Sequence, residues 1–165
     1  MNNKSIRPSI TFYHPSAKGS GCAANISIVP AKASTPFSDE GYLMIMLANQ
    51  LQTSAVDPSY PRFDWDNHAF VKLNFIEVSQ LMQVFRGEFE SLNEGKGIYF
   101  TTPNGSQLLR FSHIVDPVAG YRLEIIVTDR ETKAEKKFLF VFNCAEACGL
   151  CEALSGAMTR IAFGD

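Results

Sequence analysis

Residues 74–88 read NFIEVSQLMQVFRGE, and the fold turns on them because the hydrophobic period changes there. Phe75, Val78, Leu81, Met82 and Phe85 recur every three or four positions, the spacing that lines one side of a helix, while Gln80, Gln83 and Arg86 fall away from that side. Asn74 followed three residues on by Glu77 predicts a capping box, in which each side chain satisfies a backbone N–H that the first helical turn leaves unpaired. Gly87 supplies the stop.

On either side of this helix the period is two. Upstream, CAANISIV (22–29) puts Ala24, Ile26 and Ile28 on one side, as in a half-buried strand. GYLMIMLA (41–48) is apolar on both sides, which predicts a central strand. NQLQTSAVDPSYPRFD (49–64) reads as a long loop, and RFDWDNHAFVKL (62–73) as two short strands joined by a turn at Asp66–Asn67. Residues 1–17 read as an extended arm. Downstream, GIYFTT (97–102), SQLLRFSHI (106–114), GYRLEIIVTD (120–129) and KKFLFVF (136–142) follow one another with short turn-like separators, which predicts an antiparallel meander. A second helix then opens on Asn143 and Glu146, again a capping box, and runs to Phe163 before Gly164. The predicted order is four strands, a helix, four strands, a helix: an α+β protein, one domain over residues 1–165, repeating a ββββα pattern.

With 45% hydrophobic residues in 165, the chain can fill one sizeable core. The N-terminus lacks an apolar secretory region and no stretch is long and apolar enough to span a membrane, so the expected location is cytoplasmic. Three of four cysteines, Cys144, Cys148 and Cys151, share the C-x3-C-x2-C spacing that holds an iron–sulfur cluster in radical S-adenosylmethionine enzymes. On a capped helix they fall at i, i+4 and i+7, beside Ala147, Leu154 and Met158, and are expected to act as small hydrophobes on the apolar face. For zinc, only His14, His68, His113 and Cys22 stand as scattered further ligands, so neither a metal nor a cofactor is expected. The same helix repeats Ala145, Gly149, Ala153 and Ala157 every four residues, and with Leu150, Leu154 and Ile161 this gives it two apolar-leaning sides, which points to self-association, with dimer and tetramer both open.

No phosphate-binding glycine loop, zinc-protease helix or nucleophile elbow occurs, and the histidines stand apart, so the chain reads as a binder rather than an enzyme. Its net charge is only -2, but residues 1–38 hold Lys4, Arg7, Lys18 and Lys32 with no acid. Aromatic and basic residues are interleaved on the later strands: Tyr99 and Phe100, Arg110 and Phe111, Tyr121 and Arg122, Lys136, Lys137 and Phe138. Unpaired bases stack on rings while cations follow the phosphates, so this composition suits a single-stranded nucleic acid, DNA or RNA.

Three segments, RFDWDNHAFVKLNFIEVSQLMQVF (62–85), DEGYLMIMLANQ (39–50) and AKGSGCAANISIVPA (17–31), resemble the Whirly family of single-stranded DNA-binding proteins. The resemblance implies two four-stranded antiparallel sheets packed roughly perpendicular, helices that join protomers into a tetramer, and DNA running across sheet edges between subunits. It carries Lys18 and Gly19 over by the Lys-Gly motif and Trp65 by the Asp-Trp motif. Ser20 replaces the motif's second basic residue, and no organelle transit peptide precedes the domain, so the expectation is a bacterial or phage-borne relative. Lys32, Lys72, Tyr99, Arg110, Tyr121, Arg122 and Lys136 join the candidate nucleic-acid residues from composition and strand placement. The expected function is DNA binding of low sequence specificity in replication, repair, recombination or transcription. The alternative is a protein-interaction scaffold on the same fold.

Overall fold

The protein is described by a computed structural model over residues 8–32, 40–52 and 60–164. Lys4, Arg7 and much of the 49–64 loop lie outside the described residues.

Two four-stranded antiparallel sheets form, each with its strands in chain order. Sheet 1 contains β1 (Ser9–His14), β2 (Cys22–Val29), β3 (Tyr42–Asn49) and β4 (Ala69–Leu73), followed by helix α1 (Phe75–Phe85). Sheet 2 contains β5 (Ile98–Thr102), β6 (Gly105–Ile114), β7 (Gly120–Asp129) and β8 (Glu135–Asn143), followed by α2 (Cys144–Phe163). Both capping boxes are closed. The Asn74 side chain accepts from the Glu77 amide at 2.9 Å while Glu77 accepts from the Asn74 amide at 2.8 Å. The Asn143 and Glu146 pair does the same at 2.9 and 3.0 Å.

The expected number of strands in the first half is right, but two assignments are wrong. SITFYH, read as part of an arm, is β1: its register pairs Phe12 with Ala24, and the Phe12 ring meets Phe142 edge-on at 5.3 Å. The expected hairpin over 62–73 contains one strand only. Asp64 accepts from the Asn67 amide at 3.2 Å and from the Asn67 side chain, which caps a 3₁₀ turn over Trp65–Asn67 and gives that backbone an alternative to a ladder.

One core runs through both sheets and both helices. Period two decides what enters it: Leu43, Ile45 and Leu47 of β3, Ala69, Val71 and Leu73 of β4, and Phe138, Phe140 and Phe142 of β8 all point in, while their chain neighbours point out. Burying a phenylalanine of this kind contributes about 1.5–3 kcal/mol. The helices add Val78, Leu81, Met82 and Phe85 from α1 and Ala147, Leu150, Leu154 and Ile161 from α2. Phe75, expected on the inward side, is exposed in the first turn of α1.

This packing corrects the expected apolar sides of α2. Leu150, Leu154, Ala157 and Ile161 are already buried within the protomer, so they are not available to a second copy. Ala145, Gly149 and Ala153 are exposed, with nothing near where a Gly149 side chain would begin. Cys144 and Cys148 are exposed as well; of the triad only Cys151 packs partly against the core. The thiol that does behave as a buried hydrophobe is Cys22, whose burial pushes its pKa up to about 11.

Candidate nucleic-acid interface

Sheet 2 reaches past sheet 1. The free edge of β8 lies against the ends of β2 and β3, where the Asn49 side chain donates to the Lys137 carbonyl at 3.3 Å. Next to it the Lys136 ammonium donates to the Asn67 carbonyl at 3.2 Å and sits 4.9 Å from the centre of the Phe138 ring. The outward face of sheet 1 therefore meets the overhanging end of sheet 2 at a corner.

That outward face is built in cross-strand rows. One runs Thr11–Asn25–Met46–Phe70, and the Asn25 side chain donates to Thr11 Oγ1 at 2.7 Å. The next runs Ser9–Ser27–Met44–Lys72, with the Lys72 ammonium 5.0 Å from the Tyr42 ring centre. On the other side Tyr13 pairs with Ala23 and that with Ala48, both buried, and the Tyr13 ring lies 5.6 Å from Phe63. His68 bonds the Trp65 carbonyl at 2.6 Å and its ring is 5.9 Å from Phe70. Four rings, Tyr13, Phe63, His68 and Phe70, thus stand on one face, with Tyr13 57% and Phe70 43% exposed. Exposed rings of this kind are what stacked bases require.

The sequence-predicted residues divide between places. Lys72 is on this face and Trp65, half-buried, borders it; Lys136 lines the corner. Lys18 and Gly19 form the tip between β1 and β2, at the same end of sheet 1 as Trp65. Gly19 has φ +73, and the Gln50 side-chain oxygen clamps the tip by accepting from the amides of Ser16 at 2.8 Å and Gly21 at 3.1 Å. Lys32 is exposed just beyond the far end of β2.

Tyr99, Arg110 and Arg122 lie elsewhere, on the outward face of sheet 2. There Glu124 holds Arg110 at 3.6 Å and Arg122 at 3.3 Å, so one carboxylate partly offsets two guanidiniums. Tyr121 is a correction. It is turned to the inner side, stacks on Phe111 at 5.8 Å and donates its hydroxyl to the Phe85 carbonyl at 3.0 Å. Its pKa is raised by desolvation and by the Cys144 and Cys151 thiols, so it is a packing residue, not a platform for bases. The reading of the sequence missed Tyr13, Phe63, His68 and Phe70. For Phe70 a signal existed, since AFVKL alternates and places Phe70 and Lys72 together on the side opposite Ala69, Val71 and Leu73.

Among the described residues no group of three or more histidine, cysteine or acidic side chains is placed to hold a metal ion, and no helix is long and apolar enough to cross a membrane. No family model and no curated protein sequence matches the chain. Among solved structures it is similar to WHY3 from Arabidopsis thaliana, with a TM-score of 0.70 and 15% identity over 96% of this chain and 90% of that one. It is similar also to WHY1 from the same plant, with a TM-score of 0.67 and 13% identity over 96% and 86%. A guide-RNA-binding protein complex bound to a gRNA has a TM-score of 0.63 at 12% identity, covering 99% of both chains. The fold is therefore Whirly-like, as the quoted segments led us to expect: two antiparallel four-stranded sheets, each followed by a helix.

Proposed function

We propose that the chain binds single-stranded nucleic acid, DNA first and RNA second, along the outward face of sheet 1. The observation that carries this reading is the set of rings on that face, Tyr13, Phe63, His68 and Phe70, flanked by Lys72, Lys136 and the Lys18 tip. Each stacked base contributes about 1–3 kcal/mol whatever its identity, so recognition by this face has low sequence specificity. The likeness in fold to the Arabidopsis proteins and to a guide-RNA-binding complex supports the choice of ligand. The chain acts as a binder rather than a catalyst, in replication, repair, recombination or transcription, at the nucleoid in the cytoplasm.

Self-association belongs to the same reading. The outward side of α2, with Ala145, Gly149 and Ala153, lets a second helix approach closely, and a dimer or tetramer would join several stacking faces along one strand.

Fluorescence anisotropy with a labelled oligo-dT of about 30 nucleotides tests the proposal. Micromolar or tighter binding is expected, weakening as salt rises and much poorer for duplex of the same length. Absence of binding at low salt refutes it and favours the scaffold alternative. Release of the protein from a cell's nucleoid fraction by nuclease checks the proposed location.

A further inference from the structure

The buried row Leu109–Ile125–Phe138 on the inner face of sheet 2 is followed by Gln107–Val127–Lys136, which lies at the rim of the core, with Val127 partly buried against it. That row faces Phe70 of sheet 1 across an open cleft of about 580 Å³. The cleft has an apolar floor and wall in Val127 and Phe70, and Thr102 and Thr128 line it further. Gln107 is half-buried there, and its carboxamide, bonded to no other described side chain or backbone group, is open to water in the cleft.

The charged groups around the cleft select what enters. Lys136 is committed to the Asn67 carbonyl and the Phe138 ring. Asp129 Oδ1 accepts from the amides of Glu131 at 2.9 Å and Thr132 at 2.7 Å and from the Thr132 hydroxyl at 2.9 Å. With Glu135 beside it, the lining carries two carboxylates against one engaged ammonium, which disfavours a phosphate and admits a neutral planar group. A carboxamide at the wall of a cleft can exchange its water for a ligand edge that carries both a donor and an acceptor, at a net gain of about 0.5–1.5 kcal/mol per bond.

Resting on the nucleic-acid reading above, we infer that this cleft captures one nucleobase bearing an exocyclic amino group, its ring against Phe70 and its edge on the Gln107 carboxamide. Glutamine pairs with the amino and ring-nitrogen edge of adenine, and carboxylates accept from the amino group of cytosine. Stacking on Phe70 and the other rings of sheet 1 reads no sequence, whereas the edge contact with Gln107 does.

The test compares oligo-dA, oligo-dC and oligo-dT, each of about 30 nucleotides, bound to the wild type and to Gln107→Met, which keeps the bulk and removes the hydrogen bonds. The expected result is a loss of about tenfold for oligo-dA and oligo-dC, with oligo-dT changed by less than about twofold. Gln107→Ala is the second variant, and both are checked by thermal melting. An equal loss for all three oligomers, or no loss for any, overturns the base subsite while leaving the face of sheet 1 as a binder. A wild type that binds none of them overturns both.

Discussion

Replacing Phe70 by alanine separates the proposed path of the strand from its competitor on sheet 2. Phe70 is 43% exposed, and it stands in the row Thr11–Asn25–Met46 on the outward face of sheet 1. Since roughly half of the ring is out of water in the free protein, truncation removes about 1 kcal/mol of folding free energy. In the complex the same ring carries a base worth about 1–3 kcal/mol, which corresponds to a loss of about 5- to 150-fold in affinity for oligo-dT. The two effects are measured separately, the first by denaturant unfolding and the second by anisotropy titration over a range of salt. Because phenylalanine carries no charge, the slope of log K against log salt should be unchanged, whereas Lys72→Ala should flatten it by about 0.7 if the ammonium contacts one phosphate. Wild-type affinity in Phe70→Ala, with weakened binding in Tyr99→Ala, would move the strand to the outward face of sheet 2 and refute the reasoning.

Tyr121→Phe should cost about 1 kcal/mol in unfolding experiments, through the lost bond to the Phe85 carbonyl, and leave oligo-dT affinity unchanged. Asn143→Ala opens the capping box of α2 and should destabilise the protein by about 1 kcal/mol, read from the same denaturation curves. Gly149→Arg adds a bulky charge where the protomer has empty space; the protomer should not be destabilised, since arginine favours a helix over glycine by about 0.5–1 kcal/mol, while sedimentation should shift towards the monomer. The Cys22 thiol, pushed up to about 11 from an ordinary value of 9.0, is ionised in the unfolded chain before it is in the folded one. Its contribution is therefore present below pH 9 and is lost as pH climbs towards about 11, and a Cys22→Ala variant should lack that part of the pH profile.

The helices and the second sheet were legible because their signals are local. A capping box needs two residues three apart, and FLFVF writes its own alternation into the chain, so α1, α2 and β8 could be placed from sequence. The first strand was not, because β1 is an edge strand that sets only Phe12 and the His14 ring, both half-buried, against the core; its pattern is weak where burial is weak. The 3₁₀ turn at Trp65 escaped for a different reason. Asp-Trp-Asp-Asn looks like a tight hairpin until one knows that Asp64 bonds its own backbone three residues on.

The interface was harder to read than the fold, and strand geometry explains why. Neighbours on a strand point to opposite faces, so an aromatic and a basic residue adjacent in sequence cannot serve the same surface. Arg110 with Phe111, and Tyr121 with Arg122, are such pairs: both arginines go outward and both rings inward, where they stack on each other. A surface able to take a row of bases is assembled instead across strands, from residues such as Thr11, Asn25, Met46 and Phe70 that are far apart in the chain and brought level by register. One residue of slip in β4 would turn Phe70 and Lys72 into the core and push Ala69, Val71 and Leu73 out, exchanging the interface for a destabilised sheet. The apolar alternation that buries Leu43, Ile45 and Val71 therefore also fixes the rings on the other side: the core sets the register, and the register sets what the outward face can bind.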